Sequence, residues 1–242
     1  MSVPIEFWLV LGIVGFYLYD SLVLLQPGEL VLIESGGRWN FFVPLSDWQF
    51  GGKYVYLPNP LLPVQALYRL DWLVPGATGV AGVDGDAMSA FRHAQRFLRP
   101  VVVVLFVLLV LVLPFAICRL ASIRLLLALV AEAYLFIVAC AILLYRQRAA
   151  LRLDRKVALK LAFDGLLCAP FSLNLIRKLG LGYRWQGDPL LFAREVMKSE
   201  RFAELRESLM RRVDRDLEMT DEDEPMHETL QQARHRLSDM AV

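Results

Sequence analysis

The chain has 242 residues, 57% of them hydrophobic, against about 45–50% in a typical soluble domain. The excess lies in blocks, which argues against an ordinary soluble globule and for membrane spans. Formal net charge is +1, so bulk charge gives no reason to expect nucleic acid, and none is expected as a partner. Cys118, Cys140 and Cys168 lie far apart in apolar stretches, a pattern that makes neither a disulfide framework nor a zinc site.

The first apolar run, Phe7 to Leu25, contains one charge, Asp20. No Lys or Arg precedes it and no small-residue cleavage site follows it, so it reads as a retained anchor over 1–28 rather than a cleaved signal. Residues 29–57 read as a small β-meander. Gly36-Gly37 and Gly51-Gly52 separate β-prone runs, and such pairs mark two-residue hairpin turns that need positive φ. Pro58-Asn-Pro-Leu-Leu-Pro63 ends the sheet. Trp39, Phe41, Phe42, Trp48, Phe50, Tyr54 and Tyr56 make the segment aromatic-rich, as a sheet core, a headgroup contact or a binding face would be. The whole β segment is assigned to 29–75. A Gly-rich linker begins at Gly76, and Asp86 to Leu98 forms a basic amphipathic helix leading into the next span, together covering 76–99.

Val101 to Cys118 is free of charge, and Leu125 to Tyr145 carries only Glu132. With the first run, these segments span about 27–32 Å, matching a hydrocarbon core of about 30 Å. Pro114 is expected to bend the second span. The short link Arg119 to Arg124 forces spans two and three into a tight antiparallel hairpin over 100–146. Arg92, Arg96 and Arg99 precede span two, while Arg146, Arg148, Arg152, Arg155, Lys156 and Lys160 follow span three. The positive-inside rule then places the N-terminus outside and the C-terminus in the cytoplasm, with a bacterial inner membrane as the expected location. Those last six basic residues are the expected membrane-surface contact with lipid.

Residues 147–187 are basic and partly apolar. A fourth span would bring Lys160, Asp164, Asn174, Arg177 and Lys178 into or beside hydrocarbon, at about 2.5–3.5 kcal/mol for each central charge. Two amphipathic helices broken at Pro170 and lying at the interface avoid that penalty. Asp188-Pro189 is an N-cap followed by proline at the first helical position, opening a helical tail over 188–242. Phe202, Leu205, Leu209 and Val213 then form an apolar stripe that must be buried against this chain, a second copy or a partner helix. Asp221-Glu-Asp-Glu224 breaks the pattern, and 226–240 adds a short final helix. The fold class is thus a mainly α membrane protein with three transmembrane helices, a small cytosolic β-meander and amphipathic C-terminal helices.

The chain lacks a zincin motif, a nucleophile elbow, a Walker loop, a redox Cys pair and the Rossmann glycines. His93, His227 and His235 have no metal-ligand spacing, and neither a metal nor a cofactor is expected. Pro27-Gly-Glu-Leu-Val-Leu-Ile-Glu34 is similar to the entry of band-7 (prohibitin-like) domains. That likeness covers under a dozen residues and implies nothing further here, since a second span begins before such a domain could finish.

The functional candidates are therefore the intramembrane polar residues Glu132 and Asp20, because ionisable groups in spans are expensive and usually face protein. Glu132 lies about 10 Å inside span three and Asp20 about 20 Å along span one, a depth difference that does not favour a direct pair. Glu132 shares its face with Ala128, Leu129, Leu135 and Phe136, and is expected to meet protein rather than lipid. The reading that follows is a non-enzymatic integral membrane subunit, scaffold or assembly factor with a protein partner or a second copy. The alternatives are an oligomeric transport component using Glu132 and a membrane-surface enzyme acting on lipid.

Overall fold

A computed structural model describes residues 5–35, 38–43, 49–73, 85–119, 122–185, 187–221 and 223–240. The chain divides into two compact units. One comprises 1–22, 57–66 and 85–181; the other comprises 23–56, 67–84 and 182–242.

The first unit is helical. Helix α1 runs Ile5–Ser21, and α2 runs Gly85–Phe106 without stopping at Pro100. A π-helical stretch, Val107–Val112, joins α2 to α3, Leu113–Arg119. Pro114 has no N–H to give to the preceding turn and its ring crowds that turn. The wider π-turn just before it, where the Leu113 N–H reaches the Leu108 carbonyl, accommodates this. Helix α4 is Ile123–Arg146.

Among the described residues, two helices are long and apolar enough to cross a membrane, Met88–Arg119 and Ile123–Arg146. The third expected span is a shorter apolar helix, because it ends at Ser21 while the apolar run continues to Leu25. Val23–Leu25 leave the helix for a strand pairing, which takes the last apolar turn out of the anchor.

After a tight link, α5 (Arg155–Leu167) doubles back along α4. The helix breaks at Cys168, with Pro170 in the first turn of the next helix, and the chain continues as α6 (Ala169–Leu173) and α7 (Leu175–Leu181). The break falls where Pro170 predicts it. The arms, however, pack into the bundle, α5 on α4 and α6 against α1, α2 and α4, rather than lying apart from it. Gly165 is the close point: a Cβ there would sit 2.6 Å from Ser172 Oγ and 4.0 Å from Ile137 Cγ2.

The second unit contains β1 (Val23–Leu25), β2 (Glu29–Ser35), β3 (Arg38–Phe42), β4 (Gln49–Phe50), β5 (Lys53–Tyr56) and β6 (Ala66–Asp71). They form two three-stranded sheets, ordered β1-β5-β4 and β3-β2-β6, instead of one meander ending at Pro58. β2 and β3 pair antiparallel, with Leu32 opposite Phe41. Gly51 and Gly52, at φ 58° and 73°, make the expected turn between β4 and β5. The Gly36-Gly37 turn, Trp48 and most of the Gly-rich linker lie outside the described residues.

Asp188 caps α8 (Pro189–Val196), its Oδ1 accepting from the Leu190 and Leu191 N–H groups at 2.8 and 3.2 Å. Then follow α9 (Ser199–Met219) and α10 (Pro225–Asp239), which pack on each other. Tyr54 and Tyr68 enter this core and half-buried Trp39 meets Tyr68 and Phe192, whereas Phe42, set against Tyr56, is exposed. Phe50 remains exposed.

Candidate functional site

In the first unit the last turn of α1 meets α7 and the proline-rich segment 58–63. Asp20 is an anion at a helix C-terminus, where the helix dipole disfavours it. Lys178 answers it, Nζ standing 2.6 Å from Asp20 Oδ1, while Asn174 Nδ2 donates to Asp20 Oδ2 at 2.9 Å. The Lys178 ammonium also lies 2.9 Å from the Phe171 ring centroid. Burial pushes the Lys178 pKa down, and the hydrogen bond and charge of Asp20, with Cys168 and Asp164 beyond, pull it partly back.

Arg177 is buried and spans the cluster. Nη1 donates to Asn174 Oδ1 at 2.9 Å and to Ser21 Oγ at 3.0 Å. Nη2 donates to the carbonyls of Asn59 at 2.6 Å and Leu62 at 3.0 Å. Tyr17 Oη adds a third clamp, donating to the Pro60 carbonyl at 2.7 Å. Ser21 Oγ lies 2.7 Å from the Tyr17 carbonyl and 3.1 Å from Asn174 Oδ1, and its one proton serves one of them at a time. The donors are turned inward onto the chain itself. This is an arrangement that locks three segments together and places no nucleophile beside a free base.

Glu132 occupies a different environment. The buried face of α4 is Ala133, Ile137, Cys140 and Leu144, and Glu132 stands outside it, exposed with Ala128 and Leu135. Leu129 and Phe136, on the same stripe, are half-buried. The carboxylate is turned away from its own bundle, and no described residue pairs with it. Asp20 and Glu132 are not brought together.

The stripe Phe202, Leu205, Leu209 and Val213 is buried inside the second unit, so the chain itself covers it and it is not open to a partner helix. One turn away is a residue that the sequence did not single out. Arg212 is buried, donating from Nη1 to the Glu29 carbonyl at 3.2 Å and from Nη2 to the Gln26 carbonyl at 3.0 Å. Its guanidinium lies 4.1 Å from the Tyr54 ring centroid, and Nε is 3.8 Å from Asp216 Oδ2. Tyr54 Oη donates to Asp216 Oδ1 at 3.0 Å. Burial raises the Asp216 pKa, and Tyr54, Arg212 and Arg215 partly offset the rise. Burial lowers that of Arg212, against the pull of Tyr54, Asp216 and Glu29.

Of the membrane-surface basic set, Arg146, Arg152, Arg155, Lys156 and Lys160 are exposed. Arg148 is half-buried, donating to the Tyr145 carbonyl and covering the Tyr145 ring. Among the described residues no group of His, Cys, Asp and Glu side chains could hold a metal. No protein-family model, curated protein or solved structure matches the chain.

Proposed function

We propose that this is a non-enzymatic integral membrane subunit, a scaffold or assembly factor, that holds a protein partner through the outward face of α4. One observation carries the reading: Glu132 is exposed near the middle of a 24-residue apolar helix, and no described residue of its own chain forms a hydrogen bond or ion pair with it. A carboxyl group there is about 14 Å from one end of the helix and about 21 Å from the other, too deep to reach water easily. Such a group is tolerated where it is neutral, wetted or met by protein, and residues of this kind almost always face protein or a wet cavity. Ala128 and Ala139 are small, and small residues beside a polar one let a second helix approach closely.

The lock around Arg177 supports the same reading, because its polar groups are used to hold the chain together. The basic residues after α4 favour a cytoplasmic C-terminus and contact with anionic lipid, with the N-terminus outside a bacterial-type inner membrane. A photoreactive side chain at position 132, activated in native membranes, is expected to give a protein adduct. Adducts to lipid alone would overturn the proposal.

A further inference from the structure

We infer that 155–181 is a re-entrant hairpin, dipping into the cytoplasmic leaflet and returning on the same side, with the outward face of α5 in contact with lipid acyl chains. Four observations lead there.

The first is depth. α5 runs back along α4, and Gly165 comes level with Ile137. Ile137 is nine residues from Arg146, about 14 Å along the helix, close to half of a hydrocarbon core of about 30 Å. The second is return. Gln95, six residues before the apolar run at Val101, donates from Nε2 to the Ile176 carbonyl at 3.4 Å. Arg177 and Lys178 engage the end of α1. The chain therefore comes back to the side it left, which a fourth span does not do.

The third observation is the order of residues on α5. Arg155, Lys156 and Lys160, all exposed, occupy the shallow end. The exposed apolar side chains continue past them, Val157 at 45%, Leu159 at 50%, Phe163 at 59% and Leu167 at 70%. Exposure of large apolar groups rises toward the deep end, whereas a helix lying flat at an interface keeps one depth along its length. The fourth is continuity. The helix that α5 packs against itself presents Leu135, Val138 and Ile142 outward. The same acyl chains that cover those residues cover α5.

The tip, where Cys168, Ala169 and Pro170 are half-buried, keeps its backbone polar groups satisfied, as chain at membrane depth requires: the Cys168 N–H donates to the Asp164 carbonyl at 3.0 Å and the Cys168 carbonyl accepts from the Phe171 N–H at 2.9 Å. Ser172, Leu173 and Asn174 are buried, and Gly165 is enclosed by Ser172 and Ile137. Asp164 is half-buried and adds to the field at Lys178.

The test uses the full chain in lipid vesicles, with nitroxide labels placed singly at Val157→Cys, Phe163→Cys and Leu167→Cys after Cys118, Cys140 and Cys168 are replaced by Ala. Collision with oxygen, which partitions into hydrocarbon, is compared with collision with a water-soluble nickel chelate. The ratio of oxygen to nickel collisions is expected to rise from 157 through 163 to 167, with nickel collisions lost at 167. The same ratio at all three positions means a flat interfacial helix and overturns the inference. Loss of both collision types at 163 and 167 means that protein covers the face, which overturns it too. In a second measurement, Cys168 is retained as the sole cysteine. It is expected to resist a membrane-impermeant maleimide from either side until detergent and denaturant are added. Labelling in intact vesicles would place the tip in water and overturn the inference.

Discussion

Replacing Glu132 by Leu should move two quantities in opposite directions. A charged side chain at the centre of a span costs about 2.5–3.5 kcal/mol on insertion, and a central Leu is favourable by about 0.3–0.6 kcal/mol. On these numbers α4 inserts more favourably by about 3–4 kcal/mol after Glu132→Leu. Association should fall, because the polar contact across helices, about 1–2 kcal/mol in model spans, is gone. That loss corresponds to a complex weaker by about 5–30-fold. Glu132→Gln keeps the shape and most of the hydrogen bonding, and should hold the complex near the parent affinity. The assay pairs a glycosylation or reporter measure of α4 insertion with quantitative pull-down in mild detergent, using the same three proteins. Tighter insertion with weaker association is the expected signature. If Glu132→Leu leaves association unchanged, the carboxyl group contacts no partner and the proposed function loses the observation on which it rests.

Further outcomes follow from the buried clusters. Arg212→Leu leaves the Gln26 and Glu29 carbonyls without their donor and Asp216 without its cation, and breaking a buried pair costs about 3–5 kcal/mol. A lower thermal midpoint in the fluorescence of Trp39, Trp72 and Trp185 is expected, and an unchanged midpoint would contradict the packing of α9 on the strands. Gly165→Val drives a side chain into Ser172 Oγ, overpacking by about 1–3 kcal/mol. The melting temperature in detergent should drop, and adding Ser172→Ala should recover part of it. Asp216 has a raised folded-state pKa, so its contribution to stability is present below the unfolded value of 3.8 and is lost as pH rises through the folded value. Asp216→Asn should remove that part of the decline in a urea titration followed from acid to neutral pH; an identical pH profile for parent and variant would refute the assignment.

The two long apolar helices and their tight hairpin are legible in the sequence because a continuous charge-free run admits few other structures. The Gly51-Gly52 turn and the Asp188 cap are legible because each depends on local backbone chemistry. The end of α1 is not. Apolar character continues through Leu25, and only pairing of Val23–Leu25 with β5, a contact across some thirty residues, removes them from the helix. The stripe from Phe202 to Val213 shows that a face must be covered, but periodicity does not say by what. For Glu132, spacing groups it with Ala128, Leu129, Leu135 and Phe136, while the side taken by neighbouring helices depends on which residues of α4 pack. Those are Ala133, Ile137, Cys140 and Leu144, a face rotated away from the acid.

The polar residues of α7 show most clearly why charge in an apolar stretch misleads. Asn174, Arg177 and Lys178 look like a penalty when the only alternatives are water and hydrocarbon. Their partners lie far away in the chain: the Asp20 carboxylate and Ser21 hydroxyl at the end of α1, and backbone carbonyls of the segment 58–63. Pro58, Pro60 and Pro63 have no N–H and interrupt any strand ladder, so the segment folds into turns in which the Asn59 and Leu62 carbonyls accept from the Leu62 and Gln65 N–H groups, both at 3.1 Å, and keep a second lone pair free. The carbonyls of Asn59 and Leu62 also receive Arg177, and that of Pro60 receives Tyr17. A guanidinium is suited to this, since its planar fork offers several donors in fixed directions and can serve two carbonyls, an amide and a hydroxyl at once. A lysine at 177 would keep the charge and lose most of that geometry. The proline-rich segment and the buried arginine therefore account for each other: the turns present carbonyls with a lone pair to spare, the guanidinium supplies the donors, and the sequence separates them by more than a hundred residues.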